Sequence, residues 1–226
     1  ANRGIGLALA KVYAKNGWKV IATARKPAEA TELKALAASD PDVTIEQLDV
    51  TDFAQIDALA KKYAGKPIDL LINNAGIAGD PRKQTLGNVD YAMGRQVFET
   101  NVFGPLKMTD AFIGNVQASK LKKVITISSS EGSMGMARGM GRMYFYRSSK
   151  TAMNMVMLNI AMEQKPKGVT VAVVNPGPVD TDMMKGVRMP LQPVDEAATK
   201  VAGVIDKLTL EDAGKFWDYQ GGTIPW

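Results

Sequence analysis

Short β-rich runs alternate with helix-like segments along the chain, and this alternation restricts the fold more than any other feature. The runs are Lys19–Thr23, Val43–Leu48, Ile68–Ile72, Val124–Ser128 and Val169–Val174. The remaining segments Leu7–Asn16, Ala28–Ala38, Phe53–Tyr63, Tyr91–Ser119, Tyr146–Gln164 and Asp195–Leu208 read as helices. Apolar runs such as Ile68–Ile72 suit strands buried on both faces. The pattern predicts an α/β fold, a parallel sheet with helices on both faces, in one domain spanning residues 1–226. At 226 residues, 46% of them hydrophobic, the chain can bury a substantial core. Sheets of this kind bind ligands at the carboxyl ends of their strands, so the residues just after each run are the first functional candidates. In Tyr146–Gln164, Met153, Val156, Met157 and Ile160 recur at i, i+3, i+4 and i+7, which predicts a stripe of core or subunit interface.

Two absences narrow the chemistry. There is no histidine, which removes Ser-His-Asp catalysis and His-based zinc sites. There is no cysteine, which removes disulfides, thiolate nucleophiles and thiolate metal sites and fits a cytoplasmic protein. Acid–base work must fall to Asp, Glu, Lys or Tyr, and no metal site is expected. The net charge is +5, but the basic residues are scattered among acidic ones, so a solvated surface is expected and nucleic-acid binding is not. No apolar run reaches the roughly 18 residues that would indicate a membrane span.

The chain opens Ala1-Asn2-Arg3-Gly4-Ile5-Gly6 and runs into a helix. A Gly-rich turn entering a helix is a phosphate site, because glycines admit the ligand to the backbone and helix N-terminal N–H groups face the anion. A strand should precede such a turn and none does here, so the sequence is expected to begin inside a longer chain. After the run Lys19–Thr23, where dinucleotide folds carry an acid for the ribose 2′-hydroxyl, stand Ala24 and Arg25. Arg25, with Arg3 in the Gly-rich turn, suits a 2′-phosphate, which predicts NADP(H) as cofactor.

Tyr146 and Lys150 are four residues apart and share one helix face. Free tyrosine, with a pKa near 10, transfers protons poorly at neutral pH, and a neighbouring cation favours its phenolate. Ile127-Ser128-Ser129-Ser130-Glu131-Gly132 closes a strand with hydroxyls. Asn73-Asn74-Ala75-Gly76 and Pro176-Gly177-Pro178-Val179-Asp180-Thr181 follow two others. Asn101 and Gly104 interrupt the long segment Tyr91–Ser119 with poor helix formers.

Together, Gly4-Ile5-Gly6, Asp49-Val50, Asn73 to Gly76, Asn101, Ile127 to Ser129, Tyr146 with Lys150, and Pro176-Gly177 with Thr181 resemble the short-chain dehydrogenase/reductase family. The ending from Gly214-Lys215-Phe216 to Ile224-Pro225-Trp226 looks like its C-factor and sniffer-type carbonyl reductase branch. The resemblance implies a Rossmann-type doubly wound parallel sheet and NADPH-dependent interconversion of a carbonyl and an alcohol. It implies Tyr146 as proton donor, Lys150 on the nicotinamide ribose and lowering the Tyr146 pKa, Ser129 on the substrate oxygen, and Asn101 holding a water behind Lys150. Asn2 to Gly6, Arg25, Asp49, Val50, Asn74, Ala75, Gly76, Pro176, Gly177, Val179 and Thr181 would line the cofactor.

The sequence departs from the family pattern between Ser129 and Tyr146, which are seventeen residues apart. Ser133 competes with Ser129 for the serine role, and Ser129 is preferred because Ile-Ser-Ser-x-x-Gly aligns on Gly132. The extra length then falls in Met134–Met143, expected as a mobile loop at the substrate mouth. Met134, Met136, Met140, Met143 and Phe145 fit either an apolar pocket or packing within the loop, Met183, Met184 and Met189 fall where the family often carries a substrate lid, and aromatic or aliphatic carbonyls are the expected substrates. Tyr91–Ser119 and Tyr146–Gln164 are expected to mediate a homodimer. The alternative function is an NAD(P)-binding signalling protein of the C-factor type with little turnover.

Overall fold

The structure is a computed structural model that describes residues 1–138 and 141–226, so the expectation placed on Met140 and part of that placed on the loop 134–143 fall outside it. The chain opens with α1 (Gly4–Lys15), β1 (Val20–Ala24), α2 (Thr31–Ser39), β2 (Val43–Gln47), α3 (Phe53–Lys62) and β3 (Leu70–Asn73). A hairpin of β4 (Gln84–Thr85) and β5 (Asn88–Val89) precedes α4 (Tyr91–Phe98) and α5 (Gly104–Gln117). Then come β6 (Lys123–Ile127), α6 (Tyr144–Gln164), β7 (Thr170–Asn175), α7 (Val194–Lys207) and β8 (Phe216–Asp218).

The parallel pairing follows the expectation. Strand β1 pairs with β2 in parallel from Val20–Val43 to Ala24–Gln47. A second parallel sheet has the order β3-β6-β7-β8. Among the described residues no strand joins β1 to β3, so the two sheets are not hydrogen-bonded to each other.

Burial explains why some strands announce themselves. Every residue of β6 and β7 is buried. Ile125, Ile127, Ala172 and Val174 face α1 and α7, packing on Leu9, Tyr13, Val201 and Ile205. Val124, Val171 and Val173 face the other way, onto Val116, Met153 and Met157 of α5 and α6. Helices on both faces therefore make both strands apolar throughout rather than alternating. Met153 and Met157 are core, as their spacing required, and each fully buried side chain contributes on the order of 1.5–3 kcal/mol. Met155 and Met162 on the same helix are exposed.

Two elements differ from the sequence expectation. The stretch Tyr91–Ser119 is not one helix: residues Glu99–Phe103 form a π turn between α4 and α5. Single π turns are rare and frequent at functional sites, and this one carries Asn101. Strand β8 was not foreseen, because three residues carry too little periodicity to read. Among the described residues no helix is long and apolar enough to cross a membrane.

Candidate active site

The site is assembled where β3, β6 and β7 end. Helix α6 turns Tyr146, Ser149 and Lys150 inward, and all three are buried. The Lys150 Nζ donates to the Ile127 carbonyl at the end of β6, at 3.0 Å. Burial lowers its pKa to about 8. The turn Ser130–Gly132 that follows β6 lies flush against this helix. A Cβ added at Gly132 would stand 2.7 Å from Lys150 Cβ and 2.9 Å from the Lys150 carbonyl carbon, so only glycine fits the approach. Thr151 Oγ1, at 2.9 Å, and Asn154 Nδ2, at 3.3 Å, both donate to the Gly132 carbonyl, and Ser128 Oγ donates to Asn154 Oδ1 at 2.7 Å. The end of β6 is thus riveted to α6 by side chains of α6 itself.

Ser129 and Tyr146 meet across this joint. Burial pushes the Tyr146 phenol above its ordinary value, a hydrogen bond with Ser129 pulls it back, and the Glu131 carboxylate pushes it up again. Lys150 does not lower it here as expected: the ammonium is 6.0 Å from the phenol ring centre and points at Ile127, so desolvation wins. The Ser129 Oγ also accepts from the Glu131 N–H at 3.2 Å, and the Ser130 N–H donates to Asn175 Oδ1 at 3.1 Å. Ser133 is placed differently. Its hydroxyl donates to the Pro225 carbonyl and accepts from the Met136 N–H at 3.1 Å, and it does not join Tyr146.

Asn101 braces the segment after β3. Its Oδ1 accepts from the Ile77 N–H at 2.9 Å, and its Nδ2 donates to the Ile77 carbonyl at 2.8 Å and to Ser149 Oγ at 3.0 Å. A Cβ added at Gly76 would stand 3.4 Å from Asn101 Oδ1 and 3.5 Å from Lys150 Nζ, so both side chains converge on that glycine.

The surroundings fit a dinucleotide. Arg3, the N-cap of α1, makes no side-chain cap, and the first turn holds no acidic residue, so the leading N–H groups of Gly4, Ile5 and Gly6 retain their capacity for an anion. A Cβ at Gly6 would meet Asn74 Nδ2 at 2.5 Å, and one at Gly4 would meet Thr181 Cγ2 at 3.5 Å. The Gly-rich turn, the segment Asn74-Ala75-Gly76 and the segment after β7 therefore border one cleft. Asp49 accepts from Thr51, and Val50 packs under Gly104. Val179 is buried and bridges to Gln192, whose Nε2 donates to the Pro176 carbonyl at 2.7 Å beside Gly177. The Gln192 Oε1 is buried without a partner among the described residues, an acceptor suited to an amide N–H.

The Arg3 guanidinium pairs with Asp182 at 2.8 Å, tying the Gly-rich turn to the segment after β7. Arg25 is exposed just past the end of β1 and makes no ion pair among the described residues. Sequence reasoning missed Gln84, Ser149, Asn154, Asn175 and Gln192. Each is a buried or half-buried polar residue without motif or charge, legible only once its partner is known. Among the described residues no cluster of three or more His, Cys, Asp or Glu is placed to hold a metal ion.

Comparison with known proteins gives a consistent result. The family model described as short chain dehydrogenase matches residues 1–191. The C-signal protein of Myxococcus xanthus is 37% identical over 169 residues, covering 75% of this chain and 99% of its own. The NADPH-bound carbonyl reductase from chicken fatty liver superposes with a TM-score of 0.90 at 32% identity, over 100% of this chain and 96% of its own. The carbonyl reductase Sniffer of D. melanogaster gives a TM-score of 0.88 at 26% identity, with the same coverage.

Proposed function

Because the chain belongs to the short-chain dehydrogenase family, in the branch of C-signal and the Sniffer-type carbonyl reductases, we propose that it interconverts a carbonyl and an alcohol with NADP(H). The observation that carries this reading is the meeting of Tyr146 and Ser129 beside the buried Lys150, at the mouth of a cleft whose far wall is an uncapped helix N-terminus.

The cofactor's pyrophosphate would rest on the N–H groups of Gly4 to Gly6, its 2′-phosphate on Arg25, its adenine side on Asp49 and Val50, and its nicotinamide along Pro176 to Thr181. When bound, NADPH supplies the hydride that adds to the carbonyl carbon. The protein's own share is the proton. Ser129 Oγ hydrogen-bonds the substrate oxygen, and the Tyr146 hydroxyl gives that oxygen its proton as charge develops on it, so that an alcohol and NADP⁺ result. The Lys150 ammonium, charged below about pH 8 and 6.0 Å from the phenol ring centre, favours the negative charge that develops on Tyr146 as its proton leaves. Asn101 holds the wall behind Lys150 through Ile77.

Consumption of NADPH and of NADH with a panel of aromatic and aliphatic aldehydes and ketones tests the reading. A charge-assisted phosphate contact contributes about 1.5–3 kcal/mol, so Arg25→Asp should erode the preference for NADPH by roughly ten- to a hundredfold. An unchanged preference removes Arg25 from the assignment. The likeness to C-signal favours a second reading, a cofactor-binding signalling protein. Tight NADPH binding with no turnover on any carbonyl would select it.

A further inference from the structure

We propose that Gln84, in the hairpin between β3 and α4, is a positioning residue that sets Tyr146 against the cofactor segment by capping the start of α6. The inference deepens the function proposed above and rests on Tyr146 being the proton donor.

Helix α6 begins badly on its own account. Its N-cap, Met143, is left-handed with φ +50° and offers no side-chain cap. The first N–H groups of a helix have no intrahelical acceptor, and burying them unpaired costs about 1–3 kcal/mol each. Here a side chain from far upstream serves. Gln84 Oε1 accepts from the Phe145 N–H at 3.0 Å and from the Tyr146 N–H at 3.1 Å, across 61 and 62 residues of sequence. Both acceptor positions of the amide oxygen are used. The Gln84 side chain is wholly buried.

The other end of the same amide reaches the cofactor segment. Gln84 Nε2 donates to the Ala78 carbonyl at 2.7 Å. Ala78 adjoins Ile77, which Asn101 grips through both of its amide atoms. One neutral side chain thus joins the backbone of the proton donor to the segment that starts at Asn74. An acidic cap would satisfy the same N–H groups but would bury a negative charge at the start of the helix that carries the phenol, and it could not donate to Ala78. The hairpin holds Gln84 in place by pairing it with Val89, and the Lys83–Asp90 ion pair at 3.2 Å closes its base.

The test compares Gln84→Met, of similar length but without hydrogen bonds, with Gln84→Glu, which keeps the acceptor and loses the donor. Steady-state carbonyl reduction, NADPH binding by fluorescence, and melting temperature are measured for each. Misplacement of a reacting group by a fraction of an ångström to 1 Å costs on the order of ten- to a hundredfold, so kcat of Gln84→Met should fall at least tenfold. NADPH affinity should hold, because Asn101 still fixes Ile77. Gln84→Glu should regain part of kcat while its alkaline limb moves to higher pH, as the added carboxylate resists the phenolate. Wild-type kcat in folded Gln84→Met, whatever its melting temperature, overturns the proposal. If Gln84→Met does not fold, an alkaline limb unmoved in Gln84→Glu overturns it instead. A wild-type protein without turnover removes this inference together with the function it rests on; turnover in wild type with no change in the variants removes this one alone.

Discussion

Lys150 shows how one residue ties the chemistry to stability. Its ammonium is buried and has one carbonyl for company, Ile127, so its pKa falls from the ordinary 10.5 to about 8. The folded protein therefore releases this proton near pH 8, while the unfolded chain keeps it to near 10.5. Between those values the unfolded state binds more protons, and the group's contribution to folding stability rises with pH across that window. Lys150→Met should abolish this rise. Urea unfolding of wild type and variant at pH 7 and pH 10 checks it, and equal slopes against pH in the two proteins would show that Lys150 titrates normally. The tyrosine and the lysine were legible from their spacing and from the absence of histidine. The sign of the Tyr146 shift was not, because spacing says nothing of the desolvation that outweighs the nearby cation.

At the scale of elements, the decisive joint is the turn Ser130–Gly132 against α6. Gly132 has no room for a methyl group: its neighbours are the Cβ and carbonyl carbon of Lys150, part of a helix that cannot give way cheaply. Gly132→Ala should lift the turn, draw Ser129 off Tyr146, lose at least about tenfold in kcat and cost about 1–3 kcal/mol of stability. Gly114→Ala in α5 is the control, since nothing lies within 4 Å of the added carbon, and it should stabilise by about 0.5–1 kcal/mol. If the two variants behave alike in activity and melting, the close approach at Gly132 does not matter. Here the sequence was informative where burial was complete. Strands β6 and β7 read as apolar runs because helices cover both faces. The break at Asn101 was visible as poor helix formers, though not as a π turn. The β4–β5 hairpin and β8 were illegible because short strands owe their existence to tertiary partners, such as the buried Gln84 amide and the Phe216 ring packed under Trp226.

For the whole molecule, the candidate residues fall into place for one topological reason. Arg25, Asp49, Asn74, Ser129 and Pro176 each stand just beyond the carboxyl end of a different parallel strand, so the fold gathers them although the sequence spreads them from residue 25 to residue 176. The Gly-rich turn and the segment after β7 close the ring through Gly4 with Thr181 and Arg3 with Asp182. The long segment between Ser129 and Tyr146 leaves and re-enters this ring at the two hydroxyls, and its first residues are tied down by Ser133 to Pro225 and by Gly135 to Trp226 at 2.9 Å. If the Tyr146 hydroxyl supplies the proton in carbonyl reduction, replacing it while leaving the ring of contacts intact should stop the reaction but not cofactor binding. Tyr146→Phe, assayed for NADPH-dependent reduction of a carbonyl that the wild type accepts, should lose about 10²–10⁴-fold in kcat while still binding NADPH. Turnover of Tyr146→Phe at the wild-type rate would contradict the account.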